Sequence, residues 1–159
     1  MKYINTDLLN TLTAEAKNSP RKRMNYNFHK TGDELLQRML NALEPETYLP
    51  PHRHTKQVEI FLLLRGKLTV VFFDDFGNII ETQKLDPLVG NHGVEIPTGV
   101  WHTILAEESG SVIYEIKQGP YIPNAGMEFA PWAPEHSESD ACELYLASLK
   151  KQVLKLSEK

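Results

Sequence analysis

Hydrophobic and polar positions change period several times along the chain. Leu8, Leu9, Leu12 and Ala16 recur at helical spacing behind Thr6, which can cap a helix beginning at Asp7, and Asn18-Ser19-Pro20 stops it. From Arg21 the pattern alternates. Arg21, Arg23, Asn25, Asn27 and His29 point one way and Lys22, Met24, Tyr26 and Phe28 the other, which predicts a strand with one polar face. Residues 33–43 are good helix formers behind Asp33, so propensity alone predicts a helix there. Beyond Tyr48 the signals turn to β. Apolar runs at 58–64 and 67–73 flank a tight turn at Arg65-Gly66 and predict a hairpin, and residues 74–78 make the next turn. Residues 79–85, 93–96, 100–106 and 112–117 add short strands, and such closely spaced strands suggest a sandwich or barrel.

The stretch from Gly119 to Pro134 is broken by Pro120, Pro123, Pro131 and Pro134, so it is no central strand or helix and is expected to wrap the surface as a loop. The final helix opens at Asp140 with Glu143 at capping-box spacing and closes on Lys150, Lys151 and Lys155. Its apolar seam of Cys142, Leu146, Leu149, Val153 and Leu156 has two uses: docking on its own barrel, which is the plainer one, or a homodimer contact.

A length of 159 residues suits one domain. The expected organisation is a helical arm at 1–20, a barrel at 21–126, and a wrapping loop with the C-terminal helix at 127–159. Net charge is −4 and the basic residues are interspersed with acids apart from Arg21-Lys22-Arg23, so nucleic acid is not an expected partner. No apolar run approaches the ~18 residues of a membrane span, and the first residues lack a signal-peptide stretch, which gives a cytoplasmic, non-membrane expectation. Cys142 is the single cysteine, so a metal in this chain must be held by nitrogen and oxygen.

His52 and His54 stand two residues apart in an extended segment and therefore project from one face. Glu59 begins the next strand after a turn, and His102 follows the turn Pro97-Thr98-Gly99. Three imidazoles and one carboxylate suit one divalent ion of the Zn, Fe, Mn, Co or Ni group. His92 reads as a loop residue outside this set.

The spacing of His52, His54, Glu59 and Gly66, followed by Pro97, Gly99 and His102, resembles the two sequence motifs of the cupin superfamily. Two positions depart from the usual pattern: Glu46 stands where a Gly commonly opens the first motif, and Ala106 where an Asn commonly closes the second. Within that superfamily the chain resembles the WbuC family of metalloproteins. The likeness runs from residues 21–29 through Gln37-Arg38-Met39, Pro51 to His54, Val94 to Pro97 and Trp101-His102 to residues 115–121 and 130–134. It implies a mainly β double-stranded β-helix (jelly-roll) barrel, with residues 35–43 entering as a strand against their propensity. It also implies an association with bacterial surface-polysaccharide (O-antigen) biosynthesis, and hence a sugar or nucleotide-sugar substrate.

By pattern alone the polar face of residues 21–29 lies in solvent with Met24, Tyr26 and Phe28 in the core, and the resemblance instead turns Asn25, Asn27 and His29 into the barrel. The candidate substrate-binding residues are accordingly Arg23, Asn25, Asn27, His29, Arg38 and Tyr121, a set rich in donors that fits an anionic or polyhydroxylated small molecule. Glu115 alternates with Tyr114 and Ile116; if its strand faces inward, it is the candidate general base. Metal-assisted isomerisation or epimerisation of a sugar is the leading expectation. An iron-dependent oxygenase and a non-catalytic metal-dependent sugar sensor are the alternatives, since fold does not choose among these chemistries.

Overall fold

A computed structural model of the chain describes residues 1–121, 126–137 and 139–157. Helix α1 (Thr6–Asn18) leads into strands β1 (Arg23–Asn27), β2 (Leu36–Leu43), β3 (His52–His54), β4 (Glu59–Arg65), β5 (Leu68–Phe73), β6 (Ile79–Leu85), β7 (Gly93–Ile96), β8 (Trp101–Ala106), β9 (Ser111–Gln118) and β10 (Met127–Phe129), and α2 (Ser139–Ser157) follows them. The strands form two five-stranded sheets, ordered β1-β2-β9-β4-β7 and β10-β3-β8-β5-β6. Every pairing is antiparallel, and most join strands distant in sequence. This is the expected jelly-roll architecture.

Between the sheets lies a core of Phe61, Leu63, Leu68, Val70, Phe72, Ile104 and Ile113 among others. Helix α1 covers the outside of the first sheet, burying Leu9, Leu12 and Ala16 against Leu40, Ala42 and Val112. Its cap is Asn5, one residue before Thr6, and the Asn5 side-chain oxygen accepts from the Leu8 N–H at 3.0 Å. Helix α2 covers the second sheet, with Leu146, Leu149 and Val153 packed on Val71, Phe73, Trp101 and Leu105. The helix seam thus docks on its own barrel, and Leu156 falls outside it, 44% exposed.

The strand that the resemblance implies at residues 35–43 is present against local propensity, and the hairpin expected at Arg65-Gly66 needs correction. The segment of good helix formers is strand β2, because it is laddered on both sides, with Asn25 opposite Asn41 on β1 and Met39 opposite Glu115 on β9. Its outer residues Leu40 and Ala42 lie under α1 while Leu43 joins the inner core, so burial on both faces erases the alternation that would have marked a strand. The hairpin expected around Arg65-Gly66 is a crossing between sheets instead: β4 pairs with β7 and β9, and β5 pairs with β6 and β8. Gly66 sits at φ +80° with its Cα face against Ser111, where any Cβ would collide, so the crossing requires glycine. The hairpin actually present is β5–β6, closed by the 74–78 turn, in which Asp74 accepts from the Phe76 and Asn78 backbone N–H groups. The proline-rich wrapping segment contributes the edge strand β10 against β3; its residues 122–125 lie outside the described residues.

Candidate metal centre

Strand parity decides which side chains enter the space between the sheets. On β3, His52 and His54 face inward and Arg53 outward. Arg53 stacks 4.2 Å from the Trp101 ring and pairs with Glu128 at 2.7 Å, which ties β3 to its neighbours β8 and β10. His52 stands directly opposite His102 on β8, with ring centroids 4.5 Å apart. Glu59 reaches the same point from β4 in the facing sheet, so both sheets supply the cluster.

Among the described residues, His52, Glu59 and His102 each bring one ligand atom within 4.8 Å of the others. The three side chains thus converge on one point, as a His/His/Glu set able to hold a divalent ion requires. His54 is buried beside it with Nε2 3.5 Å from Glu59 Oε2, but it does not belong to the mutually close group of three.

The hydrogen bonds test whether a cation fits. His52 Nδ1 lies 3.0 Å from the Pro50 carbonyl and His102 Nδ1 lies 2.9 Å from the Val100 carbonyl. A neutral imidazole donating Nδ1–H to such a carbonyl keeps a bare lone pair at Nε2, the arrangement that orients metal-binding histidines. His102 Nε2 then faces Glu59 Oε2 at 3.0 Å, two acceptors in contact that repel unless a proton or metal cation lies between them. Among the described residues, both ring nitrogens of His54 are buried without a hydrogen-bond partner. The residues present therefore fit a divalent metal.

The same cavity, of about 260 Å³, is lined on its other walls by Glu115, Lys117, Asn41, Asn25, Arg21 and Arg23. Glu115 does face inward. Asn41 donates to Glu115 Oε2 at 2.6 Å, Lys117 donates to Oε1 at 2.6 Å, and Lys117 Nζ also stands 3.6 Å from Glu59 Oε1.

Burial, with His102 adding to it, drives the His52 pKa down to about 3. Burial and the neighbouring Glu59 push Glu115 up to about 7, against the pull of Lys117. Burial also works to raise Glu59, but His102, His54 and Lys117 outweigh it and hold the carboxylate well below its ordinary range.

These shifts contribute to the acid stability of the metal-free protein. An unfolded chain takes a proton at His52 below pH 6.5 that the folded one refuses until about 3, so this group removes stability as pH falls through that window. Glu115 acts oppositely: the folded carboxyl is protonated near 7 and the unfolded one only near 4.5, so its contribution grows as pH falls from 7 to 4.5 and then levels. Below 4.5, His52 and Glu59 act together, because both resist protonation in the folded state. The urea midpoint of metal-free protein is therefore expected to change little between pH 6.5 and 4.5 and to drop steeply below it. A steady decline starting at pH 6.5 would show that Glu115 does not offset His52.

The remaining candidates divide by face. Arg23 and Asn25 line the cavity. Asn27 shares their face but stands outside the cavity lining, accepting from the Asn25 amide at 2.9 Å. His29 packs against the Arg38 backbone, its Nδ1 3.0 Å from that carbonyl. Arg38 sits opposite Ile116 on the outer face and pairs with Glu34 at 2.8 Å. Tyr121 is 58% exposed beside Gly32. His92 is an exposed loop residue. Arg21, on the same polar face as Arg23 and Asn25, lines the cavity too, and Asn41, Lys117 and His136 join it without having been assigned to it. The alternation of Glu115 and Lys117 with Tyr114 and Ile116 is a sequence signal for Lys117, and the polar Asn41 inside the run Leu40-Asn41-Ala42-Leu43 is one for Asn41.

Fold and cluster together define a cupin-fold protein with a His/His/Glu site able to hold a divalent metal ion. The family described as "Domain of unknown function (DUF6016)" matches residues 4–85, about half of the chain, and the chain belongs to it. No curated protein matches. Among solved structures, capsular polysaccharide assembling protein CapF from Staphylococcus aureus is similar with a TM-score of 0.58 and 23% identity over 70% of this chain and 32% of that chain. Protein SO0799 from Shewanella oneidensis has a TM-score of 0.57 and 14% identity over 80% and 85% of the two chains. KdgF from Halomonas sp. has 0.51 and 18% over 65% and 84%. The chain spans about a third of the length of the CapF chain it matches, and these likenesses establish the fold. No helix among the described residues is long and apolar enough to cross a membrane.

Proposed function

We propose that the protein is a metal-dependent enzyme of the WbuC type that moves a carbon-bound proton of a sugar, as in isomerisation or epimerisation, within surface-polysaccharide biosynthesis. The observation that carries this reading is the placement of Glu115 in the same cavity as His52, Glu59 and His102. His52, Glu59 and His102, joined by His54, would hold the ion. When bound, that ion supplies Lewis acidity toward a carbonyl or hydroxyl oxygen.

The chain's own residues supply the rest. Glu115 accepts and returns the proton, and a carboxyl that titrates near neutrality suits that task. Asn41 and Lys117 fix both of its oxygens, and Lys117 also offsets the charge of Glu59 beside it. Asn25 offers an amide that can give and take hydrogen bonds with hydroxyl groups. The similarity to CapF, a capsular polysaccharide assembling protein, and the WbuC resemblance both favour a sugar. The cavity, near the small end of the ~300–1,000 Å³ range of ligand pockets, fits a single sugar-sized ring.

The test follows candidate sugars by proton NMR in deuterium oxide with metal-loaded and metal-stripped protein. Metal-dependent loss of one carbon-bound proton signal is the expected result. Oxygen consumption with bound iron would replace this reading with an oxygenase, and saturable binding without either change would replace it with a sensor.

A further inference from the structure

We propose that Arg21, Arg23 and His136 form an oxyanion-binding wall of the cavity, which receives a phosphate or carboxylate group carried by the ligand whose other end meets the metal centre. The inference rests on the reading of this cavity as a substrate site and names the class of substrate.

All three side chains line the cavity. Arg23 is half-buried, yet its assigned partners are neutral: Nη1 donates to the Tyr48 carbonyl at 2.6 Å, and Nη2 lies 3.2 Å from His136 Nε2. A guanidinium has five N–H donors in a planar fork, and these two contacts leave donors to spare. Among the described residues neither Arg21 nor Arg23 is ion-paired with a carboxylate. The other cation of the cavity, Lys117, is paired with both Glu59 and Glu115.

Lys117 therefore stands against both carboxylates of the cavity, and among the described residues the arginine wall has no counter-ion of its own. Holding two guanidiniums together in a partly desolvated place is unfavourable. Burial and the adjacent Arg21 accordingly lower the Arg23 pKa to about 10. A bound oxyanion removes that penalty and matches the fork geometry. The neighbouring surface groove, which shares Pro50, Phe129 and His136 with the cavity, gives any extension beyond the anionic group a path outward.

The experiment titrates glucose 1-phosphate, glucuronate and glucose into the full-length protein by calorimetry, with and without bound metal. It uses wild type, the double variant Arg21→Ala/Arg23→Gln, and the single variant Arg21→Glu. Glutamine at 23 retains a donor toward the Tyr48 carbonyl, and Arg21 is exposed, so its reversal tests the charge even if the double variant misfolds. At least one anionic sugar is expected to bind about tenfold or more tightly than glucose, and whichever binds tighter identifies phosphate or carboxylate. Both variants are expected to lose that advantage at unchanged metal content, and metal-free wild type is expected to keep it. Equal affinity for all three sugars overturns the proposal. So does an anion advantage that survives in the variants but disappears with the metal, since the anion then sits on the ion. Absence of proton exchange in deuterium oxide would overturn the isomerase reading alone and leave the anion preference standing.

Discussion

His102→Ala is expected to lower divalent-metal affinity by roughly a hundredfold or more, since loss of even an outer-shell partner commonly costs 10–100-fold and this residue is itself in the inner cluster. His102 is the geometric centre of the site. It faces His52 across the β3–β8 ladder, contacts Glu59 from the opposite sheet, and is 1% exposed. Removing it leaves Glu59 buried with one fewer partner and opens a void beside Phe61, at a cost of about 3 kcal/mol to the metal-free fold. That is large against the ~5–15 kcal/mol of a typical domain, yet it leaves the barrel folded. Metal content after dialysis against a chelator series, with denaturation midpoints measured in parallel, checks both halves. His92→Ala, in an exposed loop, is the control expected to change neither. Full metal retention by His102→Ala would remove His102 from the coordinating set.

How much of this was legible in the chain depends on how locally each feature is encoded. The period-two spacing of His52 and His54 fixes their common face without tertiary information, and the turn before His102 fixes where its strand begins. The convergence of β3, β4 and β8 is not local; it was reached through the motif spacing, and the sheet orders supply its physical basis. Strand β2 was legible only through the resemblance, because Leu40 and Ala42 are covered by a helix from another part of the chain and propensity alone reads such a doubly buried strand as a helix. Arg38 entered the candidate set from the stretch Gln37-Arg38-Met39 that carries the resemblance, but its register with Ile116 puts it on the opposite side of the sheet from the cavity. Arg21 and Arg23 needed His136 from 113 residues beyond Arg23 to make a wall, a proximity that no local pattern encodes.

Glu115→Gln is expected to reduce metal-dependent proton exchange at least a hundredfold while leaving metal content intact and ligand affinity within a few-fold. The replacement keeps the shape of the side chain. Its carbonyl can still accept from Lys117, and Asn41 can turn its amide to accept from the new N–H₂ group, so the contacts at 2.6 Å have substitutes. Stability gives an independent readout of opposite sign to ordinary damage. Burial and Glu59 disfavour the ionised Glu115, so at pH 8, where the wild-type carboxylate is charged, the glutamine variant relieves that penalty and its urea midpoint is expected to equal or exceed wild type. At pH 5 the advantage should vanish, because the wild-type side chain is then already neutral in the fold. A variant with unchanged exchange and this same stability profile would leave Glu115 buried and charged-sensitive but outside the proton path, and Lys117, 3.6 Å from Glu59, would become the group in the cavity to test next.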